Sequence, residues 1–209
     1  RPEHFPFRSA AARAEYLAFY DQRAARWPVP SETRTVPTTF GETFVRISGP
    51  EGAPPLVLLP GMSSNSLMWE TLIEPLARRY RTYALDSVTD VGRSVPTRDI
   101  RSAADYTRWL DEVFEALDLR DVNLLGMSYG AWITAHMALR RPERLRRTVW
   151  LAPAGVVARL SVRWVLLALL TAFSRWIHRK FTWWMFADAV KTPEGRRLAE
   201  ELIADTQVM

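Results

Sequence analysis

The chain has 209 residues, 48 % of them hydrophobic and 24 % charged, with a formal net charge of +5, which excludes a disordered or low-complexity polymer and suffices for one domain with a real core. It has no cysteine and three histidines, His4, His136 and His178, so disulfides and thiolate metal sites are excluded and no metal is expected. The positive balance comes almost entirely from arginines scattered among acids, with no nucleic-acid motif, so no nucleic-acid partner is expected.

In chain order, residues 9–27 are alanine-rich and read as a helix, stopped by Pro28 and Pro30. The period then changes from about 3.6 to 2. Residues 33–40 and 43–48 flank Gly41-Glu42 and predict an antiparallel hairpin. Residues 55–59 form a continuous apolar run, the pattern of a strand buried on both faces. Strands and helices alternate after it: a helix over 67–80, a strand over 82–85, a helix over 103–117, a strand over 121–126, a helix over 129–139 and a strand over 145–151. This order predicts an α/β fold whose sheet is mostly parallel after an antiparallel first hairpin. From Gly155 the pattern breaks. Residues 160–177 are apolar on nearly all sides, Trp183 and Trp184 follow, and residues 191–205 read as a more polar helix. The most apolar stretch, 164–173, falls short of the roughly 20 residues that span a bilayer. The expected divisions are an N-terminal helix packed on the domain (1–30), a core (31–155) and a helical cap (156–209). No basic-then-apolar leader opens the sequence, which reads as cytoplasmic.

The chemistry is concentrated in Gly126-Met127-Ser128-Tyr129-Gly130. A G-x-S-x-G sequence between a buried strand and a helix has the setting of a nucleophile elbow, a sharp turn that exposes the serine hydroxyl at the sheet edge. The alternative is a serine that merely caps the helix. Acyl transfer also needs two backbone N–H groups aimed at the oxyanion. One is expected from Tyr129, the residue after the nucleophile. The other is expected from Met62, in the Pro60-Gly61-Met62-Ser63-Ser64 loop after the run 55–59. The alternative for that loop is an ordinary strand-to-helix connection capped by Ser63, Ser64 or Asn65.

With these residues in place, the stretch from Phe40 to Gly155 resembles the α/β-hydrolase superfamily, most nearly its carboxylesterase and cofactor-free hydrolase branches. The resemblance implies Ser128 as nucleophile, Met62 and Tyr129 as oxyanion donors, no cofactor, and a cap from Gly155 onward. A serine at the elbow argues against the dehalogenase branch, which needs a carboxylate there. Two departures stand out. The family usually has His-Gly where this chain has Pro60-Gly61. The stretch Asp86 to Ser94 is about one residue longer than usual, and Asp86 and Asp90 read as loop-structuring residues.

A serine needs a base, and the base an orienting carboxylate. In this fold both follow the serine in the order acid, then histidine. His136 lies about two turns down the following helix, His178 sits in the tail and His4 near the start, so no base is assigned, and neither the catalytic histidine nor the acid is found in the chain. The expectation is that another segment or a second chain completes the sheet, whose last strand would otherwise expose an apolar edge. The implied function is a carboxylesterase acting on small apolar esters through an acyl-enzyme on Ser128. A non-catalytic binding module of the same fold and a lipid esterase touching a membrane through its Trp-rich cap are the alternatives.

Overall fold

The computed structural model describes residues 4–157, 161–171, 174–185 and 187–207. Helix α1 (Ala10–Ala24) begins at Ser9, whose hydroxyl accepts the Ala12 N–H at 3.1 Å, the usual way a serine satisfies an orphan donor at a helix start. Strands β1 (Ser31–Thr38) and β2 (Gly41–Ser48) form the antiparallel hairpin, with Thr38 opposite Gly41. The turn therefore falls on Thr39-Phe40 and not on Gly41-Glu42. Gly41 serves another contact: a Cβ there would lie 2.1 Å from the Val95 carbonyl oxygen. Val95 begins β5 (Val95–Pro96), a two-residue strand antiparallel to β2. It is too short to leave a periodic trace in the sequence.

The main sheet runs β1-β2-β4-β3-β6-β7, with β3 (Pro55–Leu59), β4 (Arg81–Leu85), β6 (Val122–Met127) and β7 (Leu145–Leu151) mutually parallel. β3 sits at its centre, and its residues alternate between two cores. Val57 and Leu59 pack with Trp109, Phe114 and Ile133 on one face. Leu56 and Leu58 pack with Tyr16, Tyr20, Leu67 and Trp69 on the other. Burial on both faces is why this strand reads as an unbroken apolar run, each such side chain contributing about 1.5–3 kcal/mol.

Helices α3 (Ala103–Ala116) and α4 (Tyr129–Arg140) cover the first face. α1 covers the second, together with the segment after β3. That segment was expected to be one helix over 67–80. It is instead a 3₁₀ turn, Ser66–Trp69, and a short α2, Ile73–Ala77. Pro75 explains the break, because its missing N–H and its ring are tolerated in the first turn of a helix but not in its interior.

The apolar run expected over 160–177 divides into α5 (Val162–Thr171) and α6 (Arg175–Met185); Arg159 and Leu160 lie outside the described residues. Helix α7 (Pro193–Gln207) returns to the N-terminal helix. Glu201 is paired with Arg23 at 3.3 Å and with Arg26, and Arg197 lies 3.3 Å from Glu70. The Arg23 and Glu201 side chains are only 5 % and 9 % exposed. Among the described residues β7 pairs with β6 and is the last strand on this side of the sheet, and Val149 and Trp150 are exposed. No helix among the described residues is long and apolar enough to cross a membrane.

Candidate active site

Ser128 stands between the last residue of β6 and the first of α4 with φ 52° and ψ −109°. A non-glycine residue there carries strain of about 1–3 kcal/mol, which its surroundings must hold in place. They do so at the backbone. The Ser128 N–H donates to the Leu151 carbonyl at 2.8 Å, and its own carbonyl accepts from Trp132 N–H at 3.1 Å and Ala154 N–H at 3.3 Å. The hydroxyl makes no capping bond to the helix, so the helix-cap alternative is excluded. The two flanking glycines are required by close approach. A Cβ on Gly126 would lie 2.2 Å from the Gly130 carbonyl oxygen, and one on Gly130 would lie 2.5 Å from the Leu59 and Pro60 carbonyl oxygens. The start of α4 is thus pressed against the end of β3, where the next loop begins.

That loop brings Gly61 beside the serine: a Cβ on Gly61 would lie 3.7 Å from the Ser128 Cβ. The Gly61 N–H points to the Met68 sulfur at 3.3 Å. Ser63 has φ 56°, and its N–H donates to Asp90 Oδ2 at 2.7 Å. The capping alternative for this loop is correct at one residue. Asn65 accepts the Leu67 N–H at 3.0 Å and donates to the Tyr16 hydroxyl at 2.7 Å, which anchors the far end of the loop and leaves its near end facing Ser128. Among the described residues, neither the Met62 N–H nor the Tyr129 N–H is spent on an intramolecular hydrogen bond. Together with the N-terminus of α4, this makes the neighbourhood of the Ser128 hydroxyl suited to a developing negative charge.

The Tyr129 ring is half-buried and stacked on Trp132 with centroids 5.3 Å apart, and meets Tyr106 edge-on at 5.6 Å. Burial, the Tyr106 hydroxyl and the Asp90 charge all push its phenol upward, so it stays neutral in ordinary buffers. Asp86 is fully buried at the end of β4. Its carboxylate accepts the Ser66 N–H at 2.8 Å, the Tyr20 hydroxyl at 3.4 Å and the Arg93 N–H at 2.8 Å. Burial raises its affinity for a proton, and those hydrogen bonds oppose the rise. Both aspartates therefore tie loops together, as their positions in the sequence suggested. What the sequence did not indicate is which loops they join, since the partners are distant along the chain.

The contacts of His136 and His4 lie away from the Ser128 hydroxyl. His136 lies on α4 between Trp132, at 4.3 Å between ring centroids, and Arg140, whose guanidinium is 2.7 Å from Nδ1. Partial burial and that cation lower its pKa. His178 lies on α6 and is also lowered, by burial. His4 precedes α1, its carbonyl accepting the Phe7 N–H at 2.7 Å. No group of three His, Cys, Asp or Glu among the described residues is placed to hold a metal ion.

Comparison with known proteins follows the same outline. The family model described as alpha/beta hydrolase fold matches residues 54–187, reaching past Gly155 into α5 and α6. The carboxylesterase YbfK of Bacillus subtilis is 36 % identical over 148 residues, covering 71 % of this chain and 50 % of that protein. The uncharacterized carboxylesterase Nap of the same organism is 39 % identical over 139 residues, covering 66 % and 46 %. The crystal structure of the Bacillus subtilis naproxen esterase superposes with a TM-score of 0.87 at 30 % identity, covering 96 % of this chain and 70 % of that one. The chain spans about half the length of the curated relatives it matches.

Proposed function

This chain belongs to the α/β-hydrolase family, and from that premise we propose that it carries the nucleophile and oxyanion site of a serine carboxylesterase. The observation that carries the reading is the strained Ser128, its hydroxyl uncapped. Similarity to two carboxylesterases supports the reaction class.

In the proposed reaction the Ser128 oxygen attacks the ester carbonyl carbon while its proton passes to a base. The Met62 and Tyr129 N–H groups donate to the oxyanion of the tetrahedral intermediate. The intermediate collapses, the alcohol leaves with the proton, and water then attacks the acyl-enzyme to release the acid and restore the hydroxyl. The base and its carboxylate come from residues outside those described. The chemistry requires neither metal nor cofactor. The substrate class is a small to medium apolar ester, entering over the exposed Met62 side chain. Steady-state hydrolysis of p-nitrophenyl butyrate by the intact protein tests this. Ser128→Ala should lower kcat by about 10³-fold or more with an unchanged melting temperature. Activity retained in that variant would refute the reading.

A second reading concerns where the esters are met. From residue 144 to residue 187 the sequence holds eight Arg or Lys and no Asp or Glu. In the same stretch Leu166, Leu170, Trp176 and Trp184 are exposed, and Lys180 stands over the Trp176 ring at 5.7 Å. Cations beside exposed tryptophan suit the surface of an anionic bilayer. The intact protein should co-sediment with phosphatidylserine-containing vesicles, and the double variant Trp176→Ala/Trp184→Ala should not. Equal sedimentation of both would remove this reading.

A further inference from the structure

The segment between β4 and β5, from Asp86 to Ser94, touches both halves of the oxyanion site, although it supplies no donor itself. Its base is fixed. The buried Asp86 carboxylate binds N–H groups at both ends of the segment's surroundings, Ser66 and Arg93. The Ser94 hydroxyl closes the loop by donating to the Asp86 carbonyl at 2.7 Å and accepting the Phe44 N–H at 2.9 Å. From this base two arms reach out. Along one, Asp90 Oδ2 accepts the N–H of Ser63, the residue after Met62, while Oδ1 accepts the N–H of Val91 at 2.8 Å. Along the other, the Ser87 and Thr89 hydroxyls are 3.2 Å apart, Thr89 Oγ1 lies 2.9 Å from the Tyr106 hydroxyl, and the Tyr106 ring meets the Tyr129 ring edge-on at 5.6 Å.

We propose that the Asp86–Ser94 segment is the positioning element for both oxyanion donors, and that Asp90 is the residue through which it fixes the Met62 N–H. The proposal deepens the esterase reading and rests on it. Three observations carry it. Ser63 sits at a positive φ, a conformation that a serine keeps only when something holds it. The group holding it is the Asp90 carboxylate, at a distance typical of a charge-assisted bond. The sign of the charge also decides between roles. A carboxylate beside an oxyanion hole repels the charge that develops there, so Asp90 contributes by geometry and against its own electrostatics. An asparagine, which can still accept one of the two N–H groups without the charge, should therefore serve nearly as well. Asp90 is in this view a positioning residue, acting through the backbone of Met62-Ser63 and touching no reacting atom.

The test compares wild type, Asp90→Asn and Asp90→Ala in the intact protein. Asp90→Ala should lower kcat about tenfold to a hundredfold with KM changed less than about threefold, the pattern of a donor displaced in the transition state only. Its affinity for a trifluoromethyl ketone, which forms a hemiketal oxyanion on a serine, should fall by the same factor. Asp90→Asn should recover kcat to within about threefold of wild type. Exchange of the Ser63 amide with deuterium, followed by NMR, should accelerate at least tenfold in Asp90→Ala, and this readout does not depend on turnover. The proposal is overturned if Asp90→Ala keeps kcat within twofold, if Ser63 exchange is unchanged, or if Asp90→Asn is as impaired as Asp90→Ala. A wild type inactive on esters would instead overturn the esterase reading, and Ser63 exchange would still decide whether Asp90 holds the loop.

Discussion

Gly130 shows how much of the site is a matter of single atoms. A methyl group there would meet the Leu59 and Pro60 carbonyl oxygens at 2.5 Å, and both belong to backbone that has nowhere to move. Gly130→Ala should therefore cost about 1–3 kcal/mol, the range for forced overpacking, and lower the chemical-denaturation midpoint. It should also depress kcat, because relief of the clash shifts either α4 or the Met62 loop. At this scale the sequence is informative wherever geometry is local. Gly126, Ser128 and Gly130 lie within one turn, so the strain and the residues that permit it appear side by side. Ser63 and Asp90 are 27 positions apart. Neither residue type announces the contact, and only the folded chain brings them together.

The elements were legible to the extent that their patterns were long. α3 carries a stripe of Tyr106, Trp109, Leu110, Val113 and Phe114, all buried, and its boundaries follow the sequence reading closely. The segment after β3 was misread because its apolar spacing suited one helix, while Pro75 set a limit that spacing does not express. β5 was invisible at two residues. The destination of α7 was invisible for another reason: its polar face looks solvent-directed until Glu201 meets Arg23 and Arg26. Truncating that glutamate breaks a buried ion pair with Arg23 and a second with Arg26. Glu201→Ala should thus destabilise the protein by about 3 kcal/mol and expose α7 to proteolysis before the rest of the chain. Equal stability, with α7 equally protected, would show that the pairing does not hold the helix in place.

At the level of the whole molecule, the sheet explains why the site lies where it does. β3 and β6 are neighbours at the centre, so the loops leaving their C-terminal ends meet, one carrying Met62 and the other Ser128. That crossing places the Ser128 hydroxyl at the C-terminal edge of the sheet, beside the loop that carries Met62. The family was readable from the order of strands and the elbow. Substrate preference was not, because it depends on the walls of a pocket assembled from distant segments. The central claim is that Ser128 is an activated nucleophile. Labelling of the intact protein with a fluorophosphonate, followed by mass mapping of the modified peptide, tests it directly. The account predicts one adduct per chain, on Ser128, absent from Ser128→Ala. Folded wild-type protein that takes no label, or takes it elsewhere, would contradict it.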